Sequence, residues 1–283
     1  MESFHFARRG TVVYQEALPF AGCDFLIHAF STRLGGVSET GFASLNFSLR
    51  EGDAREKVSQ NWDLLAGAFG LSLQQFLVMN QQHGDRIIVL RGAGPEDRSG
   101  QPFPEEMAWQ ADALITDQPG TALVVKTADC VPLLFLDEAK RAIGVVHAGW
   151  RGTALQIAGR AVEAFVDTFA SRPEDIRVAI GPAIGPCCYQ VDAPVYGALA
   201  GQAENPSFLH PCGEEGRWML DLVLANRRHL EDRGVPRANV CASPCCTSCR
   251  EDAFFSHRRD GVRTGRHVNF IMLKEPEERR KSY

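Results

Sequence analysis

The sequence predicts an α/β fold, and three observations carry that prediction. Short apolar runs rich in β-branched residues recur along the 283 residues, each bounded by turn-forming residues. Between them lie three stretches with apolar residues at helical spacing. Residues 143–180 read strand, helix, strand, a βαβ unit whose crossover should be right-handed. No repeat, low-complexity run or linker-like composition interrupts the chain, so one domain over residues 1–283 is expected.

In chain order, residues 25–30 are a strand candidate that enters the loop Ser31-Thr32-Arg33-Leu34-Gly35-Gly36-Val37-Ser38. Its paired glycines permit positive φ and let backbone N–H groups converge. Asp53, with Glu56 three positions on, has the form of a capping box. The helix after it buries Val58, Trp62, Leu65 and Phe69, and Gly70 ends it. Residues 76–79 and 87–90 read as strands flanking Gln81-Gln82-His83-Gly84. Residues 92–106, rich in Gly, Pro and charge, are a loop and a candidate lid.

Residues 113–116 and 123–126 are short strands. Residues 131–136 are another, which Pro132 confines to a sheet edge or a strand start. Residues 143–146 form a strand with His147 at its end. A helix over 153–169 should bury Leu155, Ala158, Val162, Phe165 and Phe169, and residues 176–180 form the next strand. Gly181-Pro182-Ala183-Ile184-Gly185-Pro186-Cys187-Cys188-Tyr189 must be a shaped loop. A helix over 218–230 buries Met219, Leu222, Val223 and Leu230, with Gly234 past its end. Residues 240–242 and 254–256 are short strands, Arg259-Asp260-Gly261 is a turn and residues 267–273 are the last strand. The charged tail, 274–283, should fray.

The chain is 45% hydrophobic, enough for a substantial core, and 23% charged. Its formal net charge is -5, without the basic excess that a nucleic-acid surface needs. No apolar run reaches membrane-spanning length, and the N-terminus lacks the apolar segment of a signal peptide. A cytoplasmic protein with neither nucleic-acid nor membrane partners is expected. In a reducing compartment its nine cysteines should be free thiols or metal ligands.

The chemistry concentrates in Thr127-Ala128-Asp129-Cys130-Val131-Pro132 and Val146-His147-Ala148-Gly149-Trp150-Arg151-Gly152. One thiol and one imidazole lie seventeen positions apart, each beside an apolar run. His83, followed by a further strand, is the third member. Zinc takes thiolate sulfur and imidazole nitrogen readily, and three protein ligands with an open position mark a catalytic site. One thiolate leaves such a centre a net positive charge, able to polarise a substrate oxygen. The competing reading makes His83 and His147 structural histidines and Cys130 a buried core thiol. Separations this long carry no spacing signature.

A second set is basic. Arg33, Lys126, Arg151, Arg258, Arg259 and Arg266 lie in or beside glycine-containing turns or next to the proposed ligands. Those that converge would make an anion pocket. Arg33 and Arg151 are the best candidates, Arg259 reads as a surface charge, and Lys126 is spaced to pair with Asp129. Asp129, if locally extended, points away from Cys130 and is an acceptor for a histidine elsewhere. Asp112, among apolar residues, is a turn acceptor or a proton-transfer group, with the turn role favoured. Cys241, Cys245, Cys246 and Cys249 cluster, and Cys246-Thr247-Ser248-Cys249 is formally CxxC. A structural zinc there needs a second, distant pair, and none is evident. Cys187-Cys188 reads as loop packing.

No HExxH, GxSxG, P-loop or GxGxxG motif occurs, nor does the imidazole set of a cupredoxin-type copper oxidase. The loop 32–38, Gln81-Gln82-His83-Gly84, Ala111-Asp112-Ala113, Thr127-Ala128-Asp129-Cys130-Val131-Pro132, His147-Ala148-Gly149-Trp150-Arg151-Gly152, the loop 181–189 and Ser256-His257-Arg258-Arg259-Asp260-Gly261 together resemble the YfiH-like family. That family is also called the laccase-domain or polyphenol oxidase family. The resemblance covers about residues 25–270. The chain departs from it at Asn61-Trp62, where Asn-Arg is expected, and at His257, where an aromatic residue is usual.

The resemblance implies a YfiH-like fold of mixed β-sheets flanked by helices. It also implies a zinc ion on His83, Cys130 and His147, with copper as the older assignment. Its activity would be phosphorolysis of purine nucleosides (adenosine, inosine, methylthioadenosine) together with adenosine deamination. Arg33 and Asp129 then join the metal ligands as catalytic candidates, and Arg33, Lys126, Arg151 and Arg258 would hold substrate or phosphate. A monomer or weak homo-oligomer acting on small molecules is expected. Three rivals stay open. Cys130 could be a nucleophile with His147 as its base, cutting an amide such as a muropeptide. Zinc could be a non-catalytic clip. The site could also hold copper for phenol oxidation.

Overall fold

The computed structural model describes residues 3–91, 109–201 and 207–275. The chain opens with the hairpin of β1 (Phe4–Arg9) and β2 (Val12–Ala17), then a short helix, α1 (Leu18–Ala21). β3 (Leu26–Ser31) leads through a long loop to α2 (Arg55–Phe69), β4 (Phe76–Val78) and β5 (Ile87–Leu90). β6 (Ala113–Thr116), β7 (Ala122–Thr127), β8 (Val131–Asp137) and β9 (Ala142–Ala148) precede α3 (Trp150–Ala154), α4 (Ile157–Phe169) and β10 (Ile176–Ile180). Then come β11 (Gln190–Val191), α5 (Ala193–Ala200), β12 (Leu209–Pro211), β13 (Trp218–Leu220) and α6 (Leu222–Glu231). β14 (Val240–Ala242), α7 (His257–Asp260) and β15 (His267–Leu273) complete the chain.

Two mixed six-stranded sheets dominate, in the orders β1-β2-β3-β15-β7-β4 and β14-β10-β8-β9-β6-β5, with a small sheet β11-β13-β12 beside them. The two large sheets face each other, and the alternation of side chains along each strand divides the core into three layers. Between the sheets, Leu123, Val125 and Ile271 of the first pack with Leu134, Leu136 and Val145 of the second. On the outer face of the first sheet, Val124 and Phe270 pack under Val58, Trp62, Leu65 and Phe69 of α2. On the outer face of the second, Leu133, Phe135 and Val146 pack under Ile157, Val162 and Phe165 of α4. The central strands are buried on both faces, which is why they read as continuous apolar runs. Each fully buried Leu or Phe contributes about 1.5–3 kcal/mol.

The α/β class holds, with helices outside mixed sheets. β9 and β10 are both antiparallel to β8, which lies between them, so the βαβ unit spans an intervening strand. Pro132 is the second residue of β8, an interior strand, which fits a strand start and not an edge.

Several elements differ from expectation. Asp53 forms no capping box. Its carboxylate accepts from Ser38 Oγ (2.6 Å), Asn46 Nδ2 (2.9 Å) and the Ala54 amide (2.8 Å), bracing the loop ahead of α2. The helix expected over 153–169 is broken at Gln156, whose φ is +58°, so Leu155 is 49% exposed instead of buried. Residues 218–220 are a strand, and Asp221 starts the helix after them by accepting from the Leu224 amide at 2.9 Å. Residues 254–256 pair with no strand; Ser256 Oγ instead caps α7 by accepting from the Arg259 amide at 3.2 Å. Lys274 is tied down through its amide to Phe25 O (2.8 Å). The candidate lid, 92–106, and the tail beyond Glu275 lie outside the described residues.

Two histidines are locked in the neutral form by the core. His28 Nε2 accepts from the Ala17 amide (3.0 Å), and His267 Nε2 accepts from the Phe255 amide (2.9 Å). An imidazolium nitrogen cannot accept, and burial lowers the two to about 4 and about 3. Below the unfolded value of 6.5, the unfolded chain takes up protons that the folded chain refuses, so stability falls with falling pH. At pH 5 the pair should have cost about 4 kcal/mol relative to pH 7. NMR of the imidazole nitrogens should find both rings still neutral at pH 5; protonation near pH 6.5 would refute this.

Candidate metal centre

The ligand candidates meet because of strand register. Ile87 of β5 aligns with Ala113 of β6, Ala113 with Val146 of β9, and Ala148 of β9 with Val131 of β8. The starts of β5, β6 and β8 and the finish of β9 therefore lie at one end of the second sheet. His83 precedes β5, Asp112 precedes β6, Cys130 precedes β8 and His147 is the penultimate residue of β9. His83 and Cys130 also lie on the two connections, β4 to β5 and β7 to β8, that carry the chain from the first sheet to the second. The site is a seam between sheets.

One ligand atom from each of His83, Cys130 and His147 lies within 4.8 Å of the others. The imidazoles meet edge to face, with centroids 4.8 Å apart. His147 is buried, Cys130 is half-buried and His83 is exposed, so the cluster is closed on one side and open on the other. Gly149 shapes the cradle: a Cβ there would come within 3.1 Å of Cys130 Sγ and 3.2 Å of His83 Cδ2. One sulfur and two imidazole nitrogens suit zinc, and leave a coordination position for substrate or water.

Asp112 organises the cluster. It is fully buried, and its carboxylate accepts from the amides of Gln82 (3.2 Å), His83 (2.9 Å) and Gly84 (2.8 Å). Three successive amides gripped by one anion hold His83 at a φ of +58°. The same carboxylate lies 2.8 Å from His147 Nδ1. That fixes the tautomer with the proton on Nδ1 and turns the second ring nitrogen toward the Cys130 sulfur. Burial opposes ionisation of Asp112, but the His147 and backbone hydrogen bonds outweigh it and hold the carboxyl below the usual range.

The same balance acts on the thiol. Burial pushes Cys130 up, but the His147 and His83 imidazoles outweigh it and bring it down to about 6. Burial pushes His147 down, but Cys130 and Asp112 carry it up to about 9. Both shifts favour the thiolate, the form that binds metal.

The cluster lies at a cavity of about 480 Å³, whose lining includes Arg50, Lys126, Trp150, Arg151, Tyr189, His257, Arg258 and Arg266. Lys126, Arg151 and Arg258 therefore converge with the metal candidates. Arg151 lies over the Trp150 ring (4.4 Å to the centroid) and Arg258 over Tyr189 (4.9 Å). Arg266 also lines the cavity but is paired with Glu51 at 2.8 Å.

Arg33 is placed elsewhere. Its guanidinium donates to Ala43 O (2.7 Å) and Glu251 O (3.1 Å) and lies over Phe255. It latches two loops together and does not line the cavity. Asp129 is not extended: its φ is +99°, and it accepts from Thr247 Oγ1 (2.6 Å) and the Arg258 amide (2.7 Å). It anchors the segment carrying Arg258, and the histidine acceptor is Asp112. Arg259 is structural, bonded to Asp260 (2.7 Å) and to the carbonyls of Thr247, Ser248 and Phe254. Trp150, Tyr189 and His257 went unassigned from sequence, although all three stand in the motifs that carry the family resemblance. Trp62, where the sequence departs from that family's Asn-Arg, is buried, and the matching Asn61 before it is buried and donates to Ser38 Oγ at 2.9 Å, holding the loop at 36–46.

Fold and site together define a mixed α/β protein with a candidate metal centre at the seam of its two large sheets. Residues 27–274 match the family described as multi-copper polyphenol oxidoreductase laccase, and the chain belongs to that family. A relative named purine nucleoside phosphorylase YlmD, from Geobacillus stearothermophilus, is 42% identical over 265 residues, covering 92% of this chain and 93% of that one. The crystal structure of YlmD from the same organism superposes with a TM-score of 0.84 at 39% identity, covering 97% of this chain and all of that one. A Bacillus licheniformis structure titled hypothetical protein YfiH gives a TM-score of 0.86 at 36% identity, over 95% of this chain and 99% of that one.

Proposed function

We propose that the chain is a zinc-dependent purine nucleoside phosphorylase, acting on adenosine, inosine and methylthioadenosine, with adenosine deamination as a second reaction. One observation carries the reading: a thiolate–imidazole ligand set at the floor of a cavity lined by five cationic side chains against two acidic ones, Glu51 and Asp129. The relative's name, purine nucleoside phosphorylase, supports the phosphorylase part of the reading. A cavity of about 480 Å³ is in the range that holds a small molecule.

His83, Cys130 and His147 would hold the ion, which supplies a Lewis acid when bound. The rest falls to the chain. Phosphorolysis forms a bond from a phosphate oxygen to ribose C1′ and breaks the bond from C1′ to the purine, which leaves with a proton. Arg151 and Arg258 carry the charge to hold the phosphate at C1′, and Lys126 adds to the same field. Trp150 and Tyr189 offer aromatic faces to the base. Asp112 keeps His147 oriented throughout.

Purified protein supplied with inosine and phosphate should release hypoxanthine, lose that activity to a chelator and regain it with zinc. Zinc-loaded protein that releases no hypoxanthine defeats the proposal. The lowered Cys130 thiol favours one second reading, a cysteine hydrolase of amides such as muropeptides, with His147 as its partner. Amide cleavage that survives chelation and is lost on alkylation would establish it. Copper-dependent phenol oxidation is disfavoured: a multicopper oxidase needs a large imidazole set beyond one sulfur and two imidazoles, and among the described residues the candidate metal groups bring only His83 and His147 together; copper-loaded protein should turn over no phenol.

A further inference from the structure

We infer that Cys187, Cys188, Cys246 and Cys249 form a second metal site, a structural tetrathiolate zinc centre separate from the cavity. Their four sulfurs lie within 4.8 Å of one another, with Cys249 Sγ 3.5 Å from Cys187 Sγ and 3.4 Å from Cys188 Sγ. A tetrahedral Zn–S distance of about 2.3 Å places sulfurs about 3.8 Å apart. The sulfurs are thus near the spacing of a tetrahedron's edge and well beyond a disulfide's bond of about 2.05 Å.

The two halves come from distant parts of the chain. Cys246-Thr247-Ser248-Cys249 supplies the CxxC turn, and the loop at 181–189 supplies the adjacent pair that the sequence alone did not connect to it. The CxxC turn has the hydrogen bonding of a metal knuckle. The Gly185 amide donates to Cys246 Sγ at 3.2 Å, and the amides of Ser248 and Cys249 also reach that sulfur. Amides aimed at sulfur offset the negative charge that four thiolates retain around one zinc ion. Gly185 leaves the space: a Cβ there would meet Cys187 Sγ at 3.2 Å and the Cys246 Cβ at 3.3 Å.

The position gives the centre a purpose. Neither segment is a helix or part of a large sheet; they are joined by a bridge between Ala183 and Cys246 and by Thr247 N to Ala183 O at 3.0 Å. One carries Tyr189 and Ile184 to the cavity wall, and the other bonds Asp129 through Thr247. A four-thiolate clip fixes both at once.

The test is metal content and cobalt spectroscopy on the full chain, isolated under reducing conditions. The wild type should hold two zinc ions per chain, and Cys187→Ser/Cys249→Ser should hold one. Because that variant could fail to fold, a second arm uses His83→Asn, which disables only the first centre. Cobalt-loaded His83→Asn should keep the thiolate-to-cobalt charge-transfer bands of a tetrathiolate site. A zinc content that Cys187→Ser/Cys249→Ser leaves unchanged, a His83→Asn protein without those bands, or a disulfide from Cys249 to Cys187 or Cys188 in freshly isolated protein would each overturn the inference.

Discussion

Replacing Asp112 with alanine is expected to destabilise the metal-free protein by about 3–5 kcal/mol and to weaken zinc binding at the His83–Cys130–His147 centre by about 10–100-fold. The substitution removes the acceptor of three backbone amides and of His147 Nδ1 at once. Buried donors left without partners cost their full desolvation, and a buried imidazolium loses its counter-charge. The positive φ of His83 also loses the anion that holds it. The carboxyl's own titration has a fixed sign. Its folded value lies below the unfolded one, so the stability it supplies is present at neutral pH and is lost only as the solution is acidified through that lowered value. Urea denaturation and competitive zinc titration measure the two effects. A loss under about 1 kcal/mol with unchanged zinc affinity would show that Asp112 is a bystander.

Cys130→Ser and His147→Asn should each remove the first zinc ion and reduce phosphorolysis by about 10³-fold or more, because the charge placed against the substrate goes with it. Cys130→Ser replaces a ligand already poised as a thiolate by a hydroxyl that stays protonated. His147→Asn removes a nitrogen whose orientation Asp112 has fixed. Both variants should retain the fold, because the cluster lies at the end of the second sheet and the layers around Phe135, Leu134 and Trp62 do not depend on it. Steady-state kinetics with zinc in excess, together with circular dichroism, separates lost chemistry from lost structure. A variant with near-normal turnover would remove its residue from the centre.

What the sequence made legible follows the strength of local signals. The interior strands were readable because burial on both faces leaves uninterrupted apolar runs, as in β8 and β9. The hairpin β1–β2 was not, because Arg8, Arg9, Gln15 and Glu16 interrupt its pattern. Gln15 is nonetheless buried, since Ser243 Oγ donates to its side-chain oxygen at 2.7 Å. Helix ends were misplaced where one backbone angle decided them, as at Gln156. The three ligand candidates could be picked out by residue type beside strands, but not their meeting, which depends on the register of four strands. The role of Asp129 was not legible because it turns on a φ of +99°, which a non-glycine residue does not announce in sequence. The pairing of Cys187-Cys188 with Cys246 and Cys249 had no spacing signature, since only the fold connects the loops.

The measurement closest to the central claim is anomalous diffraction at the zinc edge on crystals of protein shown to release hypoxanthine from inosine. The account predicts a peak within about 2.0–2.3 Å of an imidazole nitrogen of His83, the sulfur of Cys130 and the free ring nitrogen of His147, with its remaining coordination position facing the cavity. Active crystals without a peak at these three side chains would contradict it.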